Sequence, residues 1–133
     1  MAQNEQILFA NEVFYLAFRA RDLAAMDAVW DRQGPVCCVH PGWRPINERD
    51  AVMESWKGIF ASDGEHEVRS AQARLTQYTE LALVNCYELL ATSYMVATNM
   101  FIRREDGWRM IHHHAGACFA GRPSDDAAGP SLQ

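Results

Sequence analysis

Three consecutive histidines, His112 to His114, are the residues of this chain best suited to acid–base chemistry. An imidazole titrates near neutral pH, so a histidine in a cavity can both accept and release a proton. The three follow the run WRMI, residues 108–111, which predicts a strand. Side chains alternate along a strand, so His112 and His114 are predicted to share a face with Trp108, and His113 takes the opposite face. The run therefore predicts a pair and a single histidine, not a cluster of three.

Three interpretations of these histidines stay open. In the first they are structural, being neutral and hydrogen-bonded at the edge of a pocket or a subunit interface. In the second they transfer protons. In the third His40, His112 and His114 bind a metal, joined by Cys38, because imidazole suits zinc and three protein ligands leave a position open. No segment has the short-range spacing of a recognised metal motif, so we predict no metal and no cofactor.

Five further side chains are candidates for contact with a substrate. Tyr15 is the polar-tipped member of an apolar helix, and it either bonds within the core or faces a cavity. Asn85 and Asn99 lie in the middle of predicted strands, where asparagine is disfavoured, so each either bonds a neighbouring element or orients a substrate carbonyl. Trp43 follows a Pro-Gly turn and is predicted to be an exposed lid, whereas Trp56 is predicted to form core or pocket wall.

Length and composition limit the classes of protein that this chain can be. Its 133 residues suit one domain, and 49% of them are hydrophobic, which permits a real core. The net charge is -5 and basic residues form no dense block, so we predict that neither nucleic acid nor a membrane is a partner. The first residues carry acids where a signal peptide would carry bases, which favours a cytoplasmic location. We expect one domain over residues 1–121 and a disordered tail over residues 122–133.

The order of the predicted elements is helices first and strands afterwards. Helical spacing of apolar residues runs over residues 6–20, then from residue 23 to residue 30, where Asp22 is the predicted N-cap, and again over residues 51–60. A short strand is predicted over residues 36–40, between the second and third helices. Four strands follow at residues 68–78, 81–92, 94–104 and 108–115, with short connections that are typical of an antiparallel meander. Asp106-Gly107 predicts a tight hairpin turn between the last two strands. This order indicates the α+β class.

Both faces of the central strands are apolar, which predicts a partner subunit. In the strand over residues 94–104, Val96 and Met100 share one face, and Ala97 and Phe101 share the other. A sheet with one face in water alternates apolar and polar residues instead. The helices cover one face and nothing in the chain remains to cover the other. We therefore predict a homodimer through the outer face of the sheet.

The segments FYLAFRARDLAAMDAVW, CVHPGW, AVMESWKGIF and ATNMFIRREDGWRMIHHHAG, in this order, resemble the nuclear transport factor 2-like superfamily. The resemblance is closest to its SnoaL-like branch of small bacterial domains, and it covers residues 5–117. It implies a cone, in which three N-terminal helices pack on a curved, mostly antiparallel sheet, also called a cystatin-like roll. Members of the superfamily include isomerases, dehydratases, polyketide cyclases, ligand binders and purely structural dimers.

The resemblance also implies where the site lies. It places His112 and His114 inside the cone and His113 toward the dimer face. Enzymes of this fold often pair a histidine with a carboxylate, and Glu88 is the only acid well inside the central strands. By alternation Glu88 shares a face with Cys86, which leaves open whether that face is the inner one.

Two functional hypotheses follow. In the first, the chain binds or transforms a small apolar or cyclic compound as a cofactor-free isomerase, lyase or cyclase, with His112, His114 and His40 transferring protons. In the second, it is a non-enzymatic association module with a vestigial pocket. A cavity of about 300 Å³ or more that reaches His112 or His114 favours the first hypothesis. A cone filled by Trp56, Phe101 and Phe14 favours the second.

Overall fold

A computed structural model describes residues 2–124, so most of the predicted tail lies outside the described residues. Three helices precede or interleave with five strands. Their bounds are α1 Gln3–Ala20, α2 Leu23–Val29, β1 Cys37–Val39, α3 Arg49–Ala61, β2 Arg69–Gln77, β3 Leu81–Leu89, β4 Tyr94–Arg104 and β5 Gly107–Ala117. Within residues 2–124, no helix combines the length and the apolarity needed to span a membrane.

The five strands form one mixed sheet in the order β1-β5-β4-β3-β2. The four long strands are antiparallel neighbours, as predicted, and the short strand β1 adds to the edge by pairing in parallel with β5. The β4–β5 hairpin is also present, and its turn uses Glu105 and Asp106 before Gly107, which takes a φ of +133°. The α+β class and the helix-on-sheet architecture are thereby confirmed.

Polar contacts at the helix ends attach the helices to one another and to the sheet. Asp22 caps α2 as predicted, since its carboxylate accepts from the Ala25 amide at 3.0 Å. At the other end of α2, the Arg49 guanidinium donates to the carbonyl of Asp31 at 3.0 Å, which joins α3 to α2. The Asp31 carboxylate in turn accepts two bonds from Arg104 on β4, at 2.8 and 2.9 Å. This ion pair fixes the position of the helices against the sheet.

The core lies between the helices and the inner face of the sheet. Phe14 of α1, Trp56 of α3 and Phe101 of β4 are fully buried and fill its centre. The rings of Phe14 and Trp56 meet edge to face with centroids 5.5 Å apart. On the outer face of β4, Val96 remains 41% exposed, because no element within residues 2–124 covers that side.

A β-bulge in β5 overturns the predicted orientation of the histidines. Phe101 of β4 pairs with Met110, and the preceding residue of β4, Met100, pairs with His112, so Ile111 has no partner. An unpaired residue shifts the alternation by one position. His113 is consequently the inward residue and is 1% exposed, whereas His112 is half-buried and His114 exposed on the outer face. The prediction that His112 and His114 face the inside, with His113 outside, is wrong.

Candidate active site

A row of buried polar side chains lies on the inner face of the sheet and on the helix that covers it. β3 contributes Glu88, β4 contributes Asn99, and β5 contributes His113, which is the direct cross-strand partner of Asn99. The facing helix α1 contributes Asn11 and Tyr15, one turn apart on the same side. All five are at most 4% exposed. Buried polar groups require partners, and these residues satisfy one another.

The five side chains form one continuous hydrogen-bond network. The Asn99 amide oxygen lies 2.6 Å from His113 Nδ1, and the Asn99 amide nitrogen donates to Asn11 Oδ1 at 2.8 Å and to the Tyr15 hydroxyl at 3.1 Å. Tyr15 donates onward to Glu88 Oε2 at 2.7 Å. An amide oxygen only accepts, so Nδ1 of His113 carries the hydrogen. In neutral His113 the Nε2 atom therefore keeps a lone pair that can accept a proton.

Glu88 and His113 have pKa values shifted in opposite directions by the same cause. Burial raises the pKa of Glu88 to about 7, and the hydrogen bond from Tyr15 opposes only part of that rise. Burial also lowers the pKa of His113 well below 6.5, and electrostatic interactions with His40, His112 and His114 lower it further. Oε2 of Glu88 lies 3.9 Å from Nε2 of His113. At neutral pH the imidazole of His113 is therefore neutral, and the pKa of the Glu88 carboxyl group lies in the neutral range.

Tyr15 bonds the Glu88 carboxyl group and Cys86 contacts Tyr15, and neither of the two ionises at neutral pH. Burial raises the pKa of Tyr15 well above 10, and Cys86 and Glu88 add to this rise. The Cys86 thiol lies 3.4 Å from the Tyr15 hydroxyl, and burial raises its pKa to about 12. Both groups are therefore protonated at neutral pH, so Tyr15 acts as a fixed donor to Glu88 and not as a base.

His40 forms an adjoining wall of the site. Ser55 donates its hydroxyl hydrogen to the Val52 carbonyl at 2.6 Å, so the 2.9 Å contact between Ser55 Oγ and His40 Nε2 requires His40 to donate. Burial lowers the pKa of His40 to about 4, which keeps its ring neutral. Its ring packs edge to face on Trp43 and Trp56, with centroids 4.8 and 4.7 Å away. The nearby Cys38 thiol, 3.6 Å from His40, has a pKa raised by burial and is no thiolate nucleophile.

A cavity of about 460 Å³ opens beside these groups. It is lined by His40, Trp43, His66, Glu88 and His113, together with apolar side chains that include Phe18 and Leu90. Trp56, Phe101 and Phe14 fill the deeper part of the cone, which is the arrangement that the association-module hypothesis predicts. The cavity occupies the mouth of the cone and reaches His113, whereas His112 and His114 are not among its lining residues, so the cavity criterion of the first hypothesis is not met at the predicted histidines.

A second depression of about 330 Å³ lies outside the cone, between α1, α2 and the β4–β5 hairpin. Its charged side chains are Asp106 and Arg109, which pair with each other at 2.9 Å. Because this ion pair occupies its charged groups, we place the candidate chemistry in the first cavity.

The predicted site residues divide between two surfaces. His40, Tyr15 and Asn99 come together in or directly behind the cavity, Trp56 forms the core wall behind His40, and Trp43 stands 50% exposed at the mouth. The other three predictions are corrected. His112 and His114 lie on the outer face, and Asn85 lies there too, exposed and donating to Thr98 at 2.9 Å.

The metal alternative fails for the same reason. His40 points into the core, whereas His112 and His114 lie on the opposite face of the sheet, so the three cannot bind one ion. Within the described residues, no three histidine, cysteine or carboxylate side chains converge on a metal position.

The sequence pattern does not identify two of the site residues, His113 and Asn11. His113 was assigned to the wrong face because of the bulge at Ile111. Asn11 carried a usable signal, since it precedes Tyr15 by four residues and interrupts the apolar stripe of a buried helix. Glu88 was grouped correctly with Cys86 by alternation, but only the packing of α1 onto that face shows that both point inward.

Comparison with known proteins places this geometry among related domains. Residues 7–119 match the family model of the SnoaL-like domain. F-box protein SKIP8 from Arabidopsis thaliana is 26% identical over 116 residues, which are 86% of this chain and 50% of that protein. The chain thus spans about half the length of the curated relative it matches.

Several solved structures are similar over most of both chains, two of them at more than 30% identity. One is a proposed dehydratase of the nuclear transport factor 2-like family from Streptomyces avermitilis, 32% identical with a TM-score of 0.80, covering 87% of this chain and 96% of that one. The other is a proposed calcium/calmodulin-dependent protein kinase type II association domain from Thiobacillus denitrificans, 34% identical with a TM-score of 0.73, covering 83% and 93%.

Proposed function

Because this chain belongs to the SnoaL-like family of nuclear transport factor 2-like domains, we propose that its cavity catalyses cofactor-independent proton transfer on a small apolar or cyclic compound. One observation carries the proposal. Glu88 and His113 lie 3.9 Å apart at the cavity wall, one poised to donate a proton at neutral pH and the other to accept one. A matched acid and base in a desolvated site is the arrangement that proton-transfer catalysis needs.

The reaction that we favour is the elimination of water from a β-hydroxy carbonyl compound, since a relative at 32% identity is a proposed dehydratase. Nε2 of His113 takes the proton from the carbon next to the carbonyl, and the electron pair of that C–H bond forms the new double bond. The bond from carbon to the hydroxyl group breaks, and the Glu88 carboxylic acid protonates the departing oxygen to give water. The product is an unsaturated carbonyl compound.

The pair then returns to its starting state without an outside reagent. Elimination leaves a protonated His113 next to an ionised Glu88, which attract each other across a gap that one water can bridge. The proton passes from Nε2 to the carboxylate and restores both groups. Tyr15 stabilises the carboxylate while it is ionised, because its hydroxyl donates to Oε2.

The rest of the cavity supports this chemistry by excluding water. Phe18, Trp43 and Leu90 give it apolar walls, which suit a small cyclic substrate. Trp43 stands at the mouth next to His40, where we place it as a lid over the bound compound. His40 stays neutral and serves as wall and hydrogen-bond donor, which replaces the proton-transfer role that we first predicted for it.

The experiment is a turnover assay with a panel of cyclic β-hydroxy ketones, following the absorbance of the conjugated product. Glu88→Gln keeps an acceptor for Tyr15 but cannot act as an acid, and His113→Asn keeps a donor for Asn99 but lacks Nε2. We expect each to lower turnover by about 100-fold or more. His114→Asn on the outer face is the matched control and keeps the parental rate. Parental turnover in both cavity variants would refute the proposal.

A second candidate function is self-association through the outer face of the sheet. Val96 is 41% exposed there, beside half-buried Leu83, Tyr87 and Met100, and no element of residues 2–124 covers them. A relative at 34% identity is a proposed association domain, which supports a homodimer. The two functions are compatible, since they use opposite faces. If the chain dimerises and the Glu88→Gln variant keeps the parental turnover, the protein is an association module only.

A further inference from the structure

His66, in the loop between α3 and β2, ends in a buried ring nitrogen that has no hydrogen-bond partner. The residue is 3% exposed, and its Nε2 lies 2.7 Å from the carbonyl oxygen of Ile59. A carbonyl oxygen only accepts, so Nε2 carries the hydrogen of the neutral ring. Nδ1 is then an acceptor, and it is buried with no partner among residues 2–124. Buried polar atoms are rarely left in this state, so an unpaired one needs an explanation.

The neighbouring polar groups on this side of the cavity already have partners within the protein. The hydroxyl of Ser62 donates to the Ile59 carbonyl at 2.6 Å, and Glu65 Oε2 accepts from the Ala91 amide at 2.8 Å. Ser62, Glu65 and His66 all line the 460 Å³ cavity, together with Glu88 and His113. Among these three loop residues, His66 is the one whose acceptor without a partner is buried.

We infer that His66 is an anchor for the ligand of this cavity and accepts a hydrogen bond from it through Nδ1. The ligand class that fits is a small, mainly apolar ring compound that carries a hydroxyl or N–H donor. The aromatic walls Phe18 and Trp43 hold its ring. This donor group is separate from the atoms that react at Glu88 and His113, so His66 determines which compounds bind and does not transfer protons. The inference rests on the proposed function in taking this cavity as the ligand site.

The test compares two probes that differ only in hydrogen-bond donation. β-Naphthol carries a hydroxyl donor, and its methyl ether has the same ring system without one. Their affinities are measured by calorimetry for the parent, for His66→Gln and for His114→Gln. The glutamine amide keeps a donor for the Ile59 carbonyl but lacks the Nδ1 acceptor, and His114→Gln is the matched control on the outer face.

We expect the parent and His114→Gln to bind naphthol about 5- to 10-fold more tightly than the ether, which is the usual effect of one hydrogen bond. His66→Gln should reduce this preference to less than about 2-fold while leaving the affinity for the ether unchanged. Equal affinities in the parent, no binding of either probe, or an unchanged preference in His66→Gln would each overturn the inference.

A measurement on the parent protein removes any dependence on the fold of the variant. The nitrogen NMR signal of His66 Nδ1 should shift when naphthol binds and stay in place when the ether binds. An Nδ1 signal at the same position in the naphthol complex and in the ether complex would contradict the inference. Neither measurement depends on a proton transfer. Failure of the proposed function is detected separately, because the variants Glu88→Gln and His113→Asn would then keep the parental turnover.

Discussion

Asn99 Oδ1 lies 2.6 Å from Nδ1 of His113, between directly paired positions of β4 and β5. This contact places the hydrogen of neutral His113 on Nδ1 and leaves Nε2 toward Glu88. The amide nitrogen of the same Asn99 holds Tyr15 and Asn11 of the covering helix. One buried asparagine therefore sets the tautomer of the base and also joins α1 to the sheet.

Replacing Asn99 should destabilise the protein strongly. Asn99→Ala leaves three buried polar groups, on Asn11, Tyr15 and His113, without this partner, and we expect the free energy of unfolding to fall by about 2–4 kcal/mol. Urea unfolding measures the change. Asn85→Ala is the matched control, because Asn85 is exposed on the outer face, and it should cost at most about 1 kcal/mol. Similar losses in the two variants would argue against a central role of the network.

The raised pKa of Glu88 predicts a pH dependence of stability with a definite sign. Its pKa is about 7 in the folded protein and 4.5 in its ordinary state, so between these values the folded protein binds the extra proton. Stability from this group is therefore present at low pH and lost as the pH rises toward 7. The unfolding free energy of the parent minus that of Glu88→Gln should fall by about 3 kcal/mol between about pH 4 and pH 8.

His40 and His113 act in the opposite direction, because their lowered pKa values make the unfolded chain bind the extra protons. They are present in both proteins, so to a first approximation their effect cancels in the difference. Urea unfolding at a series of pH values provides the measurement. A difference that is flat from pH 4 to pH 8 would mean that the pKa of Glu88 is not raised in the folded protein.

The bulge at Ile111 accounts for the inward position of His113, and removing the extra residue should preserve that position. Deleting Ile111 leaves Met110 and His112 opposite the same residues of β4, so His113 stays inward. We therefore expect the deletion variant to keep a cooperative thermal transition, as monitored by circular dichroism. Ile111→Ala keeps the extra residue and should cost only about 1 kcal/mol, since the side chain is half-buried. Loss of cooperative unfolding in the deletion variant would show that the fold needs the local bend of the bulge.

A charge on the outer face should disrupt self-association. Val96→Arg places a guanidinium in the middle of the predicted dimer surface, where burial without a partner is costly. We expect light scattering to give the monomer mass for this variant and the dimer mass for the parent. Phe9→Arg is the control, because Phe9 is 57% exposed on α1, away from the outer face of the sheet, and it should stay dimeric. Equal masses for Val96→Arg and the parent would exclude this face as the interface.

Much of the fold could be predicted because its signals are local. Helical spacing, alternation and turn residues predicted three helices, the long strands, the Asp22 cap and the last hairpin. The short strand β1 was predicted as a strand, but its parallel pairing with β5 was not, because that pairing joins residues about 75 positions apart. Periodicity within a segment carries no information about such a partner.

The candidate site shows the same division between sequence and tertiary structure. The sequence by itself determined that histidines, Glu88, Asn99 and Tyr15 would be available on elements of this fold. Only the tertiary structure decided that His113, and not His112 or His114, faces inward, because the bulge arises from cross-strand pairing with β4. The tertiary structure also decided the protonation states, since the shifted pKa values of Glu88 and His113 come mainly from burial under distant helices.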